Sequence, residues 1–346
     1  MLYPSPDPTR LVDQSSRLAR LDVIVPTFRR PAQLERCLGG LAMQTSRSHR
    51  VLVVARPSDR ATRDAWSTIA RSHVEAQLVD VDEPGVIAAM TAGVRASEAE
   101  YIAFTDDDAI PRPDWVQRML GHLGTPGVGA AGGRDAQPGL DSPRGTVGTL
   151  SPFGRITGNH HLGVGPVREV HLLKGVNMGF RREALVMPRP GVLWGSGAQP
   201  HFEILICQWA VKQGWKLVYD PAMVVDHYPG VRFDPDRRAH PSHQAVYDSS
   251  YNQLFAAALF AEPLTAVVRV LYSLFVGDRS APGMGRLLLA ALERDREIVR
   301  RWPVSTAAKV AALRSLLRYR LSDPEATVEK LSPRSRTPSS AAGAHP

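Results

Sequence analysis

Short apolar runs alternate with amphipathic stretches over the first third of the chain. Leu21-Asp22-Val23-Ile24-Val25 is a β-branched run stopped by Pro26, the pattern of a buried strand. From Pro31 to Leu41 the apolar positions take helical spacing, with Leu34, Leu38 and Leu41 on one face and Pro31 near the first turn. Arg50–Ala55, Gln77–Val81 and Tyr101–Thr105 read as further strands, with helices over Thr62–Ser72 and Val86–Ala96 between them. Such alternation predicts an α/β fold, a mainly parallel sheet with helices on both faces. Ligands of these sheets gather at the C-terminal strand ends, and the strand at Tyr101–Thr105 runs directly into Asp106, Asp107 and Asp108.

The pattern loosens further along. Gly124–Gly165 is rich in Gly and Pro and is expected to be irregular, with a hairpin. Val170–Phe180 reads as a strand region, Phe202–Gln213 as a helix ended by Gly214, and Lys216–Tyr219 and Ala222–Val225 as strands. Leu254–Val276 is strongly apolar, but Glu262, Pro263 and Arg269 interrupt it and make it a poor spanning helix. Gly285–Trp302 and Val304–Leu321 are expected to form two amphipathic helices with a basic opposite face, and Ser332–Pro346 to be disordered. The expected organisation is an extension at 1–20, an α/β domain at 21–231, a helical extension at 232–322 and a tail at 323–346.

Composition narrows the function classes. With 346 residues, 43% hydrophobic and 22% charged, the chain is neither disordered throughout nor a polytopic membrane protein. Cys37 and Cys207 are its only cysteines, which excludes a disulfide framework or a four-cysteine zinc cluster and suits a reducing cytoplasm. Met1–Arg20 carries Pro4, Asp7, Pro8 and Asp13 where an export signal needs an apolar run. The net charge of +8 is concentrated: between Arg279 and Arg320 ten basic residues face three acidic ones, leaving +7 there. That segment is expected to meet an anionic membrane surface, placing the protein in the cytoplasm, peripheral on the inner face of the membrane, with no nucleic acid as partner. Solvated arginines on helices packed against the domain are the competing expectation.

Three adjacent carboxylates at a strand end repel one another unless a cation is present, and a hard divalent ion that also binds phosphate oxygens is the natural partner. A solvated Asp-rich turn is the plain alternative. The flanking residues decide between them: an apolar strand, Asp-Asp-Asp, Ala109-Ile110-Pro111, then Pro113-Asp114-Trp115 resembles the nucleotide-sugar site of glycosyltransferase family 2. Further segments resemble that family in the same order: Val23–Phe28, Gly85–Val94, Lys174–Arg182, and Phe202-Glu203 followed by Gly214–Pro221. The resemblance spans about residues 21–231.

It implies a GT-A fold and inverting transfer of a sugar from a nucleotide-sugar donor to a glycan or lipid-linked acceptor in cell-surface glycan or glycolipid synthesis. Asp106 and Asp108 would hold Mn²⁺ or Mg²⁺, with His227 completing the metal shell, and Asp107 would orient the nucleotide. Pro26, Thr27, Arg29, Gly175 and Asn177 would contact the donor, and Glu203 would be the base that deprotonates the acceptor hydroxyl. Ala55 and Arg56 depart from the pattern, since an acid that binds the base or ribose is expected there; Asp59 and Asp82 are the substitutes on offer. A nucleotidyltransferase on a similar sheet, or a non-catalytic carbohydrate-binding protein, are the rival readings.

Overall fold

The strand and helix alternation seen in the sequence is the framework of the fold. The computed structural model describes residues 20–72, 76–140, 142–231, 233 and 241–331. The first half runs β1 (Leu21–Pro26), α1 (Pro31–Ala42), β2 (His49–Ala55), α2 (Arg60–Ser72), β3 (Ala76–Asp80), α3 (Val86–Ala96) and β4 (Tyr101–Phe104). There follow β5 (Ala109–Pro111), α4 (Trp115–Leu123), β6 (Val128–Ala136), the ribbon β7 (Thr149–Leu150) and β8 (Ile156–Thr157), β9 (Arg168–Val170), β10 (Met178–Arg181) and β11 (Met187–Pro188). Then come α5 (Phe202–Lys212), β12 (Lys216–His227), α6 (His243–Leu259), α7 (Pro263–Phe275), α8 (Met284–Glu293), α9 (Arg296–Leu321) and β13 (Val328–Glu329).

The main sheet has the order β3-β2-β1-β4-β10-β6-β12-β5, with β9 on β12. β3, β2, β1 and β4 are parallel, β10 is antiparallel to both neighbours, and β12 is parallel to β6. Ile24, Leu52, Ile102 and Phe104 face one apolar layer, whereas Val23, Val25, Val51 and Ala103 face the other. Burial on both faces is why these strands read as nearly unbroken apolar runs. The one charge in β1, Asp22, is buried and paired with Arg50 at 2.7 Å.

Three expectations need correcting. Gly124–Gly165 holds the nine-residue β6 beside the anticipated hairpin, and α4 precedes it. β6 has the composition of a loop because its neighbours come too close for side chains. A Cβ on Gly133 would lie 1.8 Å from the Met223 carbonyl oxygen, and one on Gly129 2.5 Å from Trp215. Secondly, the helix break falls at Arg294, in the left-handed region at φ 57, and not at Trp302. Asp295 then caps α9 by accepting from Ile298 N at 3.3 Å, and α9 continues through Pro303. Thirdly, the tail expected from 323 docks until 331: β13 pairs with β11, and Thr327 and Val328 are buried. Residues 1–19 and 332–346, the rest of the expected extension and tail, lie outside the described residues.

The C-terminal helices are not separately cored. One apolar cluster joins Leu205 and Trp209 of α5 to Phe255 of α6 and Ala308, Ala312 and Leu316 of α9. Polar links reinforce it, with Ser250 bonded to Ser305 at 3.1 Å and Arg320 donating to the carbonyls of Ala258, Leu259 and Ala261. No helix among the described residues is long and apolar enough to cross a membrane.

Candidate active site

β1 and β4 lie side by side, so the residues that follow them meet at the same sheet edge. Thr27 Oγ1 donates to Asp107 Oδ2 at 2.8 Å, and Arg30 reaches Asp107 Oδ1 at 2.9 Å and Asp108 Oδ2 at 3.3 Å. The backbone N–H of Gly230 donates to Asp108 Oδ2 at 2.7 Å. β12 ends beside β5, with His227 opposite Ala109, which brings the imidazole to the aspartate turn. One donor atom each from Asp106, Asp108 and His227 lie within 4.8 Å of one another.

His227 sits between two carboxylates. Its Nε2 is 3.3 Å from Asp108 Oδ1 and its Nδ1 is 3.6 Å from Asp135 Oδ2. Neither contact has hydrogen-bond geometry, so Asp108 Oδ1 and both ring nitrogens are buried without a partner. Buried polar atoms are normally satisfied. Two of these orphaned atoms, Asp108 Oδ1 and His227 Nε2, lie together beside a half-buried Asp106 and fit a cation, and an oxygen-rich set with one imidazole suits Mn²⁺ or Mg²⁺. Asp135 is fully buried and also takes Lys174 Nζ at 2.5 Å and Gln137 Nε2 at 3.1 Å.

Electrostatics follow from this crowding. Burial pushes the Asp107 carboxyl up to about 7, against the pull of Arg30. Burial and the charge of Asp108 raise Asp106. Burial opposes ionisation of Asp108 and Asp135 too, but interaction with His227, helped by Gly230 N–H or Lys174, holds both below the usual carboxylate range. For His227, burial favours the neutral ring, yet Asp108 and Asp135 outweigh it and carry the imidazole up to about 9.

A cleft opens beside this cluster. Pro26, Thr27, Arg29, Asp106, Asp107 and Asp108 line it, together with Phe28, Arg30, Arg56, Glu83 and residues 196–198. The Arg56 guanidinium lies 3.9 Å from the centroid of the Phe28 ring, and Phe233 meets that ring edge-on. Asp59 and Asp82 are not among the lining residues: Asp82 is exposed, with its neighbour Glu83 facing the cleft instead. Asp59 is buried and accepts from Arg29 N, Thr62 N and Thr62 Oγ1, so it ties the turn after β1 to the start of α2.

On the other side, Glu203 opens α5 and accepts from Gly175 N at 3.4 Å. Burial raises its carboxyl, an effect moderated by backbone N–H groups and Lys174 and reinforced by Asp106. Asn177 is used inside the core. Its Oδ1 accepts from Trp115 Nε1 at 2.8 Å, and its Nδ2 donates to the carbonyls of Arg134 and Met223.

The sequence reading named neither Arg30, Asp135 nor Lys174 as site residues. Arg30 directly follows Arg29, and Lys174 opens the Lys174–Arg182 segment. The signal for Asp135, a carboxylate at the C-terminal end of β6, is hidden by the loop-like glycine content of that strand.

Comparison with known proteins agrees with this geometry. The Glycosyl transferase family 2 model matches residues 22–186. Glycosyltransferase AglE of Haloferax volcanii is 29% identical over 126 residues, covering 34% of this chain and 40% of AglE. Validoxylamine A glucosyltransferase of Streptomyces hygroscopicus subsp. limoneus is 33% identical over 111 residues, 31% of this chain and 24% of that protein. The chain thus spans less than half the length of these relatives. Among solved structures, mannosyltransferase PcManGT from Pyrobaculum calidifontis, in complex with GDP-Man and Mn²⁺, superposes with a TM-score of 0.52 at 18% identity, over 92% of this chain and 90% of that one. S. aureus TarS 1–349 in complex with UDP-GlcNAc gives 0.56 at 15% identity, over 88% of each chain. These likenesses establish the GT-A architecture. The family match begins at β1 and takes in the aspartate turn, so residues 22–186 are the part of the chain that matches glycosyl transferase family 2.

Proposed function

We propose that the protein transfers a sugar from a nucleotide-sugar donor to an acceptor hydroxyl on a glycan or lipid-linked glycan, with inversion and with a divalent cation bound. The observation that carries this reading is the Asp106–Asp108–His227 group, with its unpartnered buried atoms, at the edge of a cleft formed by the β1 and β4 ends. Bound there, Mn²⁺ or Mg²⁺ would neutralise the donor diphosphate as it leaves. Asp106, Asp108 and His227 Nε2 would hold it, and Asp135 would hold the other face of the ring, the arrangement that fixes a ligating histidine. Arg30 adds a fixed positive charge beside the same carboxylates. Thr27 and Arg30 anchor Asp107 for contact with the nucleotide, while Arg29, Arg56 and Phe28 form a basic, aromatic wall for it.

Glu203 would take the acceptor proton. Its raised pKa brings it toward the operating pH, where a general base works best. A hydroxyl activated on the side away from the departing diphosphate displaces it once, which inverts the anomeric centre. Cell-surface glycan or glycolipid synthesis is the setting the family resemblance implies. The test is a panel of nucleotide sugars with Mn²⁺, Mg²⁺ or EDTA, following both nucleoside diphosphate and sugar transfer. Metal-dependent release of nucleoside diphosphate supports the reading. Pyrophosphate release would show a nucleotidyltransferase, and no turnover of any donor would remove the enzymatic reading.

A further inference from the structure

α7 and α8 form a hairpin whose outer side is apolar. On α7, Leu264, Val267, Leu271 and Phe275 recur at helical spacing and are exposed, Leu264 at 77% and Phe275 at 63%. On α8, Leu288 and Leu292 are exposed at 61% and 82%. Isolated exposed leucines are ordinary, but two adjacent helices presenting this face together are not. The hairpin is also held firmly. Lys309 of α9 is buried at the turn and donates to the carbonyls of Ser273, Ala281 and Pro282 at 2.7, 2.9 and 3.0 Å, and Arg286 N bonds Val276 O. The face is therefore a fixed feature of the fold and not a frayed end.

Charge identifies what covers it. At the end of α8 and the start of α9, Arg294, Arg296 and Arg300 are exposed and have no acidic partner among the described residues. The nearby acids are occupied: Glu293 by Arg286, Asp295 by Arg279 and Glu297 by Arg301. A second copy docked through the same face would bring these arginine rims together, like charge against like. We infer that the α7–α8 face is a docking surface for an anionic lipid bilayer, with the leucines and Phe275 among the acyl chains and the arginines on headgroup phosphates. The 13-residue α7 and 10-residue α8 are too short to cross the bilayer, so the protein would lie on it. This inference does not depend on the catalytic reading.

The test is flotation of the full chain with phosphatidylcholine vesicles, with and without an equal part of phosphatidylglycerol, at low and high salt. The protein should float with the anionic vesicles at low salt and largely dissociate at high salt. Leu288→Glu with Leu292→Glu, or Leu271→Glu with Phe275→Glu, should lower vesicle partitioning at least about tenfold. Arg296→Glu with Arg300→Glu should lower it by at least about fivefold per arginine, since each change removes an attraction and adds a repulsion. Thermal melts should remain unchanged, since all six positions are exposed. Failure of the wild type to float at low salt would overturn the inference, as would variants that float as well as it does. A dimer in sedimentation velocity that Leu288→Glu with Leu292→Glu dissociates would assign the face to a second copy instead.

Discussion

Asp135→Asn isolates the most consequential residue found only in the structure. The substitution keeps the shape and removes one charge from a fully buried position that faces His227 Nδ1 at 3.6 Å and Lys174 at 2.5 Å. Lys174 is about one-third exposed and can turn to water, so the loss falls mainly on His227. Two effects then oppose each other. Without the Asp135 charge the imidazole pKa drops below about 9, with Asp108 and Asp106 still raising it, so a metal ion displaces less of a proton at neutral pH. Without its anchor the ring is less well oriented, at a cost of about 10- to 100-fold in metal affinity.

pH separates the two. In the wild type at pH 7, a group with that pKa is about 99% protonated, so each ion bound should release close to one proton. In the variant, release should fall below that of the wild type, because one of the two carboxylates that hold the ring protonated is gone. At pH 9 the proton term is small and the variant should bind Mg²⁺ about 10- to 100-fold more weakly; at pH 7 the gap should narrow. Isothermal titration with Mg²⁺, in two buffers of different ionisation enthalpy, measures both affinity and proton release. Parallel pH profiles for the two proteins, or equal affinity at pH 9, would refute the claim that Asp135 acts through His227.

Other consequences are open to simpler measurements. Glu203→Gln should reduce transfer by on the order of 10²–10⁴-fold with donor affinity nearly unchanged; an equal loss of donor binding would make Glu203 structural. Asp108→Ala should abolish metal-dependent donor binding, and EDTA should do the same to the wild type; full activity in EDTA would exclude the metal role. His227, raised in the folded state, contributes stability that is complete below about 6.5 and lost as pH rises through about 9. Metal-free wild type should therefore lose more stability than His227→Gln between pH 6.5 and 8 in thermal melts, and identical slopes would contradict the assigned ring environment.

The readable parts of the sequence were those where one physical demand acted alone. β1, β2 and β4 are buried on both faces, and their apolar runs say so. The aspartate turn announced itself because three carboxylates in a row need an explanation. What escaped was fixed by which of several polar groups the fold engages, through local caps as well as contacts distant in sequence. Asp59 was read as a donor contact, but the capping of α2 and the bond to Arg29 N engage it inside the fold. The sequence predicts one helix ending at Trp302 and another starting at Val304, yet the break falls at Arg294 and Asp295, where a left-handed residue and a capping carboxylate meet. The basic C-terminal stretch reads as two amphipathic helices that either meet a membrane or pack on the domain. In the fold its apolar residues divide: Ala308, Ala312 and Leu316 complete the core, while Leu288 and Leu292 join α7 on the outside.

The glycine content of β6 and the chemistry of the site are one problem seen twice. The register between β6 and β12 shifts from Asp220 to Val224, so the Met223 carbonyl turns out of the ladder toward β6. That carbonyl leaves no room for a side chain at Gly133 and accepts a hydrogen bond from Asn177 Nδ2 at 2.9 Å. The same amide donates to Arg134 O, next to Asp135, and accepts from Trp115 in α4. One side chain thus ties together the two strands that carry Asp135 and His227 and the helix behind them. Any side chain at position 133 would press the strands apart just where the carboxylate must stay within 3.6 Å of the ring. The glycines that disguised β6 as a loop are therefore what allows the second carboxylate to reach the histidine, and Asn177 supports the site through the strands it joins.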